Sequence, residues 1–228
     1  PIDLPARRSD GPVIAINWAG DRPHYRYPEP SEEHARHFLT VVKDALLACV
    51  HTLGAQIMFL PHLVPVDSEC YEAFAAGFPP GSIFSTHLEL PFLYPPPGEI
   101  RYAHAPFFTN LFRQADLVLG MRLHACVLAF AAGTKFIPLG NHPKLDLVND
   151  LGVPNYAIRL TDPRIDTVET VVERITTCLH DVRYDAILKA SLAEQITRLR
   201  AFNERVLDLL EAGAGISAQS AKGVPSHG

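Results

Sequence analysis

Arg122 and His124 stand two residues apart in GMRLHACVLAFAAG, residues 120–133, a run otherwise built from apolar and small side chains. An arginine offers a planar fork of donors that fits a phosphate or a carboxylate. A histidine carries a proton that exchanges near neutral pH. The pair therefore suits the holding of an anion and the delivery of a proton beside it. The spacing sets a condition on this chemistry. Residues two apart on a regular helix point nearly opposite ways, so the two side chains meet one ligand only if Arg122 sits at or just before the helix cap. Leu123, Val127 and Phe130 are expected to form the buried face, which leaves His124 off it. The spacing by itself also fits a solvated pair.

Further candidates fall where other strands should end. Asn17 and Trp18 follow the apolar run VIAIN, residues 13–17. Asn17 could donate to a carboxylate or an acceptor hydroxyl, and Trp18 could pack or serve as a sugar platform. His62 and Asp67 lie in PHLVPVD, the loop after QIMFL. Asn141, His142 and Lys144 open the segment after KFIPLG, where a lysine would act as a point charge. Arg22, His24, Tyr25 and Arg26 form a basic, aromatic loop after the first strand, either solvated or able to close over the same edge.

These residues need a frame that brings loop ends together, and the chain has its rhythm. VIAIN reads as a strand buried on both faces, and QIMFL, SIFS, DLVLG, KFIPLG and YAIRL read as further strands. Helices are expected between them: one from the Ser31 cap to Gly54, short ones near residues 69–77 and 106–114, and the quoted segment up to Gly133. Asn141 is expected near the cap of a short helix, and Asp162 with Pro163 is expected to open a helix over 165–180. Alternating strands and helices imply βαβ units: an α/β fold with a Rossmann-like parallel sheet and helices on both faces. In such a sheet ligands gather beyond the carboxyl ends of the strands. A helix that begins there presents unpaired N–H groups and the positive end of its dipole, which is an anion site before any side chain is added.

Residues 1–182 are read as this domain. A long helix over 183–212 carries Leu192, Ile196, Leu199, Phe202, Val206 and Leu209 on one stripe. That stripe is expected to cover a neighbouring domain or subunit. Residues 213–228 are small and polar and are expected to be disordered.

Composition narrows the classes. With 47% hydrophobic and 20% charged residues the 228-residue chain reads as globular and large enough for a core. Its net charge is −5 and its basic residues are scattered, so a nucleic-acid partner is not expected. Cys49, Cys70, Cys126 and Cys178 share no metal-ligand spacing and read as buried reduced thiols, which fits a reducing, cytoplasmic setting. Neither a signal peptide nor an apolar run of about eighteen residues is seen. The chain begins at Pro1 and reads as a fragment or excised domain.

The stretch ADLVLGMRLHACVLAFAAGTKFIPLGNHPKLDLVNDLG resembles the C-terminal signature of the polysaccharide pyruvyl transferase family. An Asp-bearing strand, G-x-R-L-H, a small-residue helix ending in Gly, a strand and a Lys follow in order. GPVIAINWAG and IMFLPHLVPVD are looser matches, so the resemblance covers roughly residues 11–160. It implies the donor-binding, C-terminal half of a GT-B-like enzyme that moves a pyruvyl group from phosphoenolpyruvate to two sugar hydroxyls, forming a ketal. The acceptor would be a cell-surface glycan or its lipid-linked precursor, and any membrane association would run through that acceptor alone. Arg122, Lys144, Asn17, Trp18 and Asn141 are then the binding candidates, with His124 and His62 the catalytic ones. No cofactor and no metal are implied. The other half of the enzyme, as an N-terminal domain or an oligomeric partner, would complete the site. Two other readings stand beside this one: a GT-B glycosyltransferase using a nucleotide sugar, and a non-catalytic anion-binding α/β domain.

Overall fold

The computed structural model describes residues 10–21, 31–94, 101–102, 105–162, 164 and 166–220. Five short strands build the core: β1 (Val13–Asn17), β2 (Gln56–Phe59), β4 (Ile83–Ser85), β6 (Leu117–Gly120) and β7 (Lys135–Pro138). They form one parallel sheet in the order β4-β2-β1-β6-β7. Ile14, Ile16, Ile57, Met58, Leu117 and Leu119 are fully buried, as strands covered on both faces require.

The order reverses at β1. From β1 the chain moves outward through β2 to β4, then returns to β6 on the other side of β1 and goes on to β7. That reversal, between β1 and β6, is the topological switch point, the place where open parallel sheets of this kind bind ligands. Right-handed crossovers on the two sides of a switch place helices on opposite faces. Helix α1 (Glu32–Leu53) packs on α6 (Val168–His180), while α4 (Ala105–Phe112) packs on α5 (Leu123–Ala132). The fold is α/β and Rossmann-like, as the alternation of elements implies.

Local signals explain the ends of α1. Ser31 Oγ accepts the His34 N–H at 3.1 Å, and Gly54 ends the helix at φ 62°. Other ends differ from the predicted ones. YAIRL makes only one parallel bridge, between Ile158 and Leu139, because Leu160 turns out of extension at φ 55°. Thr167, not Asp162, caps α6 by accepting the Thr170 N–H, while the Asp162 carboxylate holds Arg164. The segment after Asn141 is a 3-10 helix, Pro143–Leu151, and its cap is His142, whose Nδ1 accepts the Lys144 N–H at 3.0 Å. A short antiparallel pair, β3 (Leu63–Val64) with β5 (Arg101–Tyr102), was not legible as alternation. Two further helical turns, α2 (Tyr71–Ala75) and α3 (Thr86–Glu89), complete the elements around β4.

The chain divides into two compact units, Pro1–Lys189 and Ala190–Gly228. The last helix, α7 (Val182–Ser220), spans that boundary. Its first turns belong to the first unit, where Tyr184 is buried and its hydroxyl donates to the Phe136 carbonyl. In the second unit Ile196, Leu199, Phe202, Val206 and Leu209 are exposed. The helix continues past residue 212 through Ser220, where alanines favour it and no proline interrupts; residues 221–228 of the expected tail lie outside the described ones. All four cysteines are free, Cys70 being only half-buried. No described helix is long and apolar enough to cross a membrane.

Candidate functional site

The switch point is organised by Asn17, the last residue of β1. Its Nδ2 donates to the Leu60 carbonyl at 3.0 Å, just past β2. Its Oδ1 accepts the Arg122 N–H at 3.1 Å, and its own carbonyl accepts the Met121 N–H at 3.1 Å. One buried amide thus ties the ends of three adjacent strands. Trp18, next in sequence, is 3% exposed and meets Phe74 edge to face at 5.4 Å. It packs the core and offers no open face for a sugar.

β6 hands the chain to α5 through Gly120. A Cβ at Gly120 would lie 2.7 Å from Cys126 Sγ and 3.2 Å from Ala125 Cβ, so only glycine lets the helix come this close. The helix is shielded by Ala125, Cys126, Ala129 and Phe130; Val127 is exposed, unlike the expected buried face, because the small residues are the ones that fit against the sheet. His124 is exposed, as its place off the buried face requires.

Arg122 is the N-cap of α5, with extended backbone at φ −92° and ψ 137°. The geometric condition for Arg122 and His124 to face one ligand is therefore met. An arginine has no side-chain oxygen to accept from the first helical N–H groups, and the Arg122 side chain makes no cap hydrogen bond. The helix N-terminus carries its partial positive charge at the switch point.

The Arg122 guanidinium itself is engaged. Its Nε donates to Asp67 Oδ2 at 2.8 Å and its Nη2 to Asp67 Oδ1, a side-on bidentate pair. Nη2 also donates to Asp21 Oδ1 at 2.8 Å. Burial pulls the Arg122 pKa down, but the two carboxylates more than offset it and the net shift is upward. Asp67 is fully buried and also accepts the N–H groups of His62 at 3.1 Å and Leu63 at 3.0 Å. It therefore folds the loop after β2 back onto the start of α5.

That loop brings His62 to the site. Its ring is 3% exposed and lies 4.2 Å from the Phe108 ring centre, with Phe112 beyond. Its Nε2 is buried without a hydrogen-bond partner. Burial, with the nearby Arg122 and His124, pushes its pKa down to about 3. His62 is neutral near pH 7 and has a ring nitrogen ready for a partner.

Lys144 is exposed and Asn141 half-buried; both follow β7, whose 3-10 segment packs on α5. The structure thus gathers Asn17, His62, Arg122 and His124 at the ends of the three central strands, with Asn141 and Lys144 beyond the neighbouring one. The basic loop with Arg22, His24, Tyr25 and Arg26 lies outside the described residues. Spacing singled out Asp67 only as a loop residue and passed over Asp21. Their partner is 55 and 101 positions away, so no local signal could have found them. Among the described residues no cluster of His, Cys, Asp and Glu could hold a metal ion.

Comparison with known proteins points the same way for the segment and for the fold. No match was found among curated proteins. Among solved structures the chain is similar to a putative UDP-N-acetylglucosamine 2-epimerase from Listeria monocytogenes (TM-score 0.51, 15% identity, 86% of this chain and 46% of that one). It is also similar to the calicheamicin glycosyltransferase CalG4 (0.51, 16%, 97% and 45%) and to the glycotransferase of kitacinnamycin (0.52, 15%, 92% and 47%). The chain therefore spans just under half the length of these structures, and shares with them a GT-B-like, Rossmann-type α/β fold. The family model for polysaccharide pyruvyl transferases matches residues 100–143, the segment that runs from β5 through Arg122 and His124 to the end of β7 and the turn beyond it.

Proposed function

We propose that this chain is the donor-binding part of a transferase that moves a pyruvyl group from phosphoenolpyruvate to a hydroxyl pair on a sugar, in the assembly of a polysaccharide. One observation carries the reading: the helix N-terminus at the switch point has Arg122, which supplies no side-chain cap, as its N-cap and His124 in its first turn, within the segment matched by the pyruvyl transferase model. Phosphoenolpyruvate carries a phosphate and a carboxylate close together. The N-terminus of α5 and Arg122 hold one of them, and Lys144 reaches toward the other as a point charge. Asn17 acts through Arg122, whose backbone it holds.

His124 is the proton donor. It delivers a proton to the methylene carbon, and the neighbouring carbon gains cationic character. One sugar hydroxyl adds there, the bond to the phosphate oxygen breaks, and phosphate leaves. The second hydroxyl then closes the ketal, and the protons of both hydroxyls are released, one replacing that given by His124. His62, neutral and buried, serves as a hydrogen-bonding partner through its free Nε2 rather than as the acid. The exposed stripe on the second unit belongs against the acceptor-binding half or a second subunit.

The neighbours named as glycosyltransferases favour a second reading, in which the same helix N-terminus receives the diphosphate of a nucleotide sugar. Phosphate release from phosphoenolpyruvate, measured with hexosides bearing adjacent free hydroxyls, separates the roles. His124→Ala is expected to retain donor affinity within about threefold and to lose turnover by about a hundredfold or more. Normal turnover by His124→Ala would remove the acid assignment.

A further inference from the structure

Asp67 is a fully buried carboxylate that its own loop holds in place. Its N–H donates to the Leu63 carbonyl at 2.7 Å, while its Oδ2 accepts the N–H groups of Leu63 at 3.0 Å and of His62 at 3.1 Å. Backbone and side chain thus close one short loop from both ends. Asp67 stands at the start of a 3-10 turn, Ser68–Cys70, yet makes no side-chain cap bond to it. The carboxylate is turned back onto its loop and onto Arg122 instead.

Arg122 meets this fixed group from 55 positions away in sequence. Nε and Nη2 take its two oxygens side by side, and Nη2 also donates to Asp21 at 2.8 Å. Nη1 donates to none of the described residues, and the side chain keeps 11% exposure. A guanidinium is planar, so a grip on its Nε edge also fixes the direction of Nη1. An unheld arginine loses rotamer freedom when it grips a ligand, whereas one already held loses little. Through the His62 N–H the same carboxylate also anchors the residue whose Nε2 is buried without a partner.

We infer that Asp67 is a positioning residue: it holds the Arg122 fork with Nη1 left for the ligand, and so strengthens anion binding despite its own negative charge. This rests on the reading of the switch point as an anion site. Charge alone gives the opposite sign. A carboxylate this close to Arg122 repels an anion, so removing its charge would tighten binding. Removing a carboxylate that positions the fork weakens binding instead.

Calorimetric titration with inorganic phosphate and with phosphoenolpyruvate tests this on the 228-residue chain, Asp67→Asn, Arg122→Lys and the double variant. Asparagine keeps an oxygen for the His62 and Leu63 N–H groups but turns amide N–H groups toward the guanidinium, donor against donor. Asp67→Asn is therefore expected to keep its loop and to bind both anions about tenfold more weakly. In the Arg122→Lys background the same substitution is expected to cost no further affinity, because Asp67 acts through the fork. Arg122→Lys leaves Asp67 and its paired charge in place, which keeps the inference testable if Asp67→Asn does not fold. A lysine has no second edge to offer once it is paired, so it alone is expected to lose about tenfold. Unchanged or tighter binding by Asp67→Asn, full affinity in Arg122→Lys, or a further loss in the double variant would each overturn the inference and leave the anion site standing. Failure of both anions to bind the parent chain would remove the anion site and the inference with it. Binding of phosphate alone, weakened in Asp67→Asn, would uphold the positioning role and remove the donor assignment.

Discussion

His62 is costly to charge where it sits. Its ring lies among Phe108 and Phe112, and its pKa is pushed down to about 3 by burial. In the unfolded chain it titrates near about 6.5. Between those values the unfolded chain binds a proton that the folded one does not, so stability falls as the pH drops through this window. The slope reaches about 1.4 kcal/mol per pH unit for one such group. Urea unfolding between pH 6 and pH 4 is therefore expected to show a shallower loss in His62→Leu than in the parent chain, by about that amount per unit. Equal slopes would mean that the buried imidazole is charged in the folded state. Arg122, His124 and His62 could all be singled out from residue type and loop position. The identity of Arg122's partners could not, because ion pairs across the ends of three strands leave no trace in local spacing. For the same reason Asn17 read as a ligand donor, whereas its amide is engaged in joining β1 to its two neighbours.

At the level of elements, the junction of β6 and α5 is what aims the helix at the switch point. Gly120→Ala would force its new Cβ against Cys126 Sγ at 2.7 Å and Ala125 Cβ at 3.2 Å, both in a buried, close-packed turn. Overpacking of this kind is expected to cost about 1–3 kcal/mol in urea unfolding. Adding Cys126→Ala removes the nearer atom, and the double variant is expected to regain part of the loss; strict additivity would show that the two residues do not compete for space. The strands were the most legible elements, since a strand covered on both faces is an unbroken apolar run, as in VIAIN, and its bounds match β1. Caps with a side-chain oxygen or a left-handed glycine were legible at Ser31, Gly54 and Gly133. Legibility failed where tertiary pairing decided the outcome. Ile158 has the residue type of a strand but forms a single bridge, and Asp162 has the type of a cap but is drawn to Arg164.

On the scale of the whole molecule, the chain is one Rossmann-type unit followed by a largely helical second unit, and it covers just under half of the GT-B-like structures it resembles. That fold is shared by enzymes of several chemistries, so the fold alone does not choose among donors. The choice rests on the start of α5, where Arg122 stands at the N-cap and His124 in the first turn. Calorimetric titration with phosphoenolpyruvate beside a UDP-sugar, for the parent chain and Arg122→Ala, tests it most directly. Binding of phosphoenolpyruvate that Arg122→Ala weakens by at least about tenfold is the expected result, as for loss of a charge-assisted contact. Binding of the UDP-sugar with none of phosphoenolpyruvate would contradict the account and assign the switch point to a nucleotide-sugar donor.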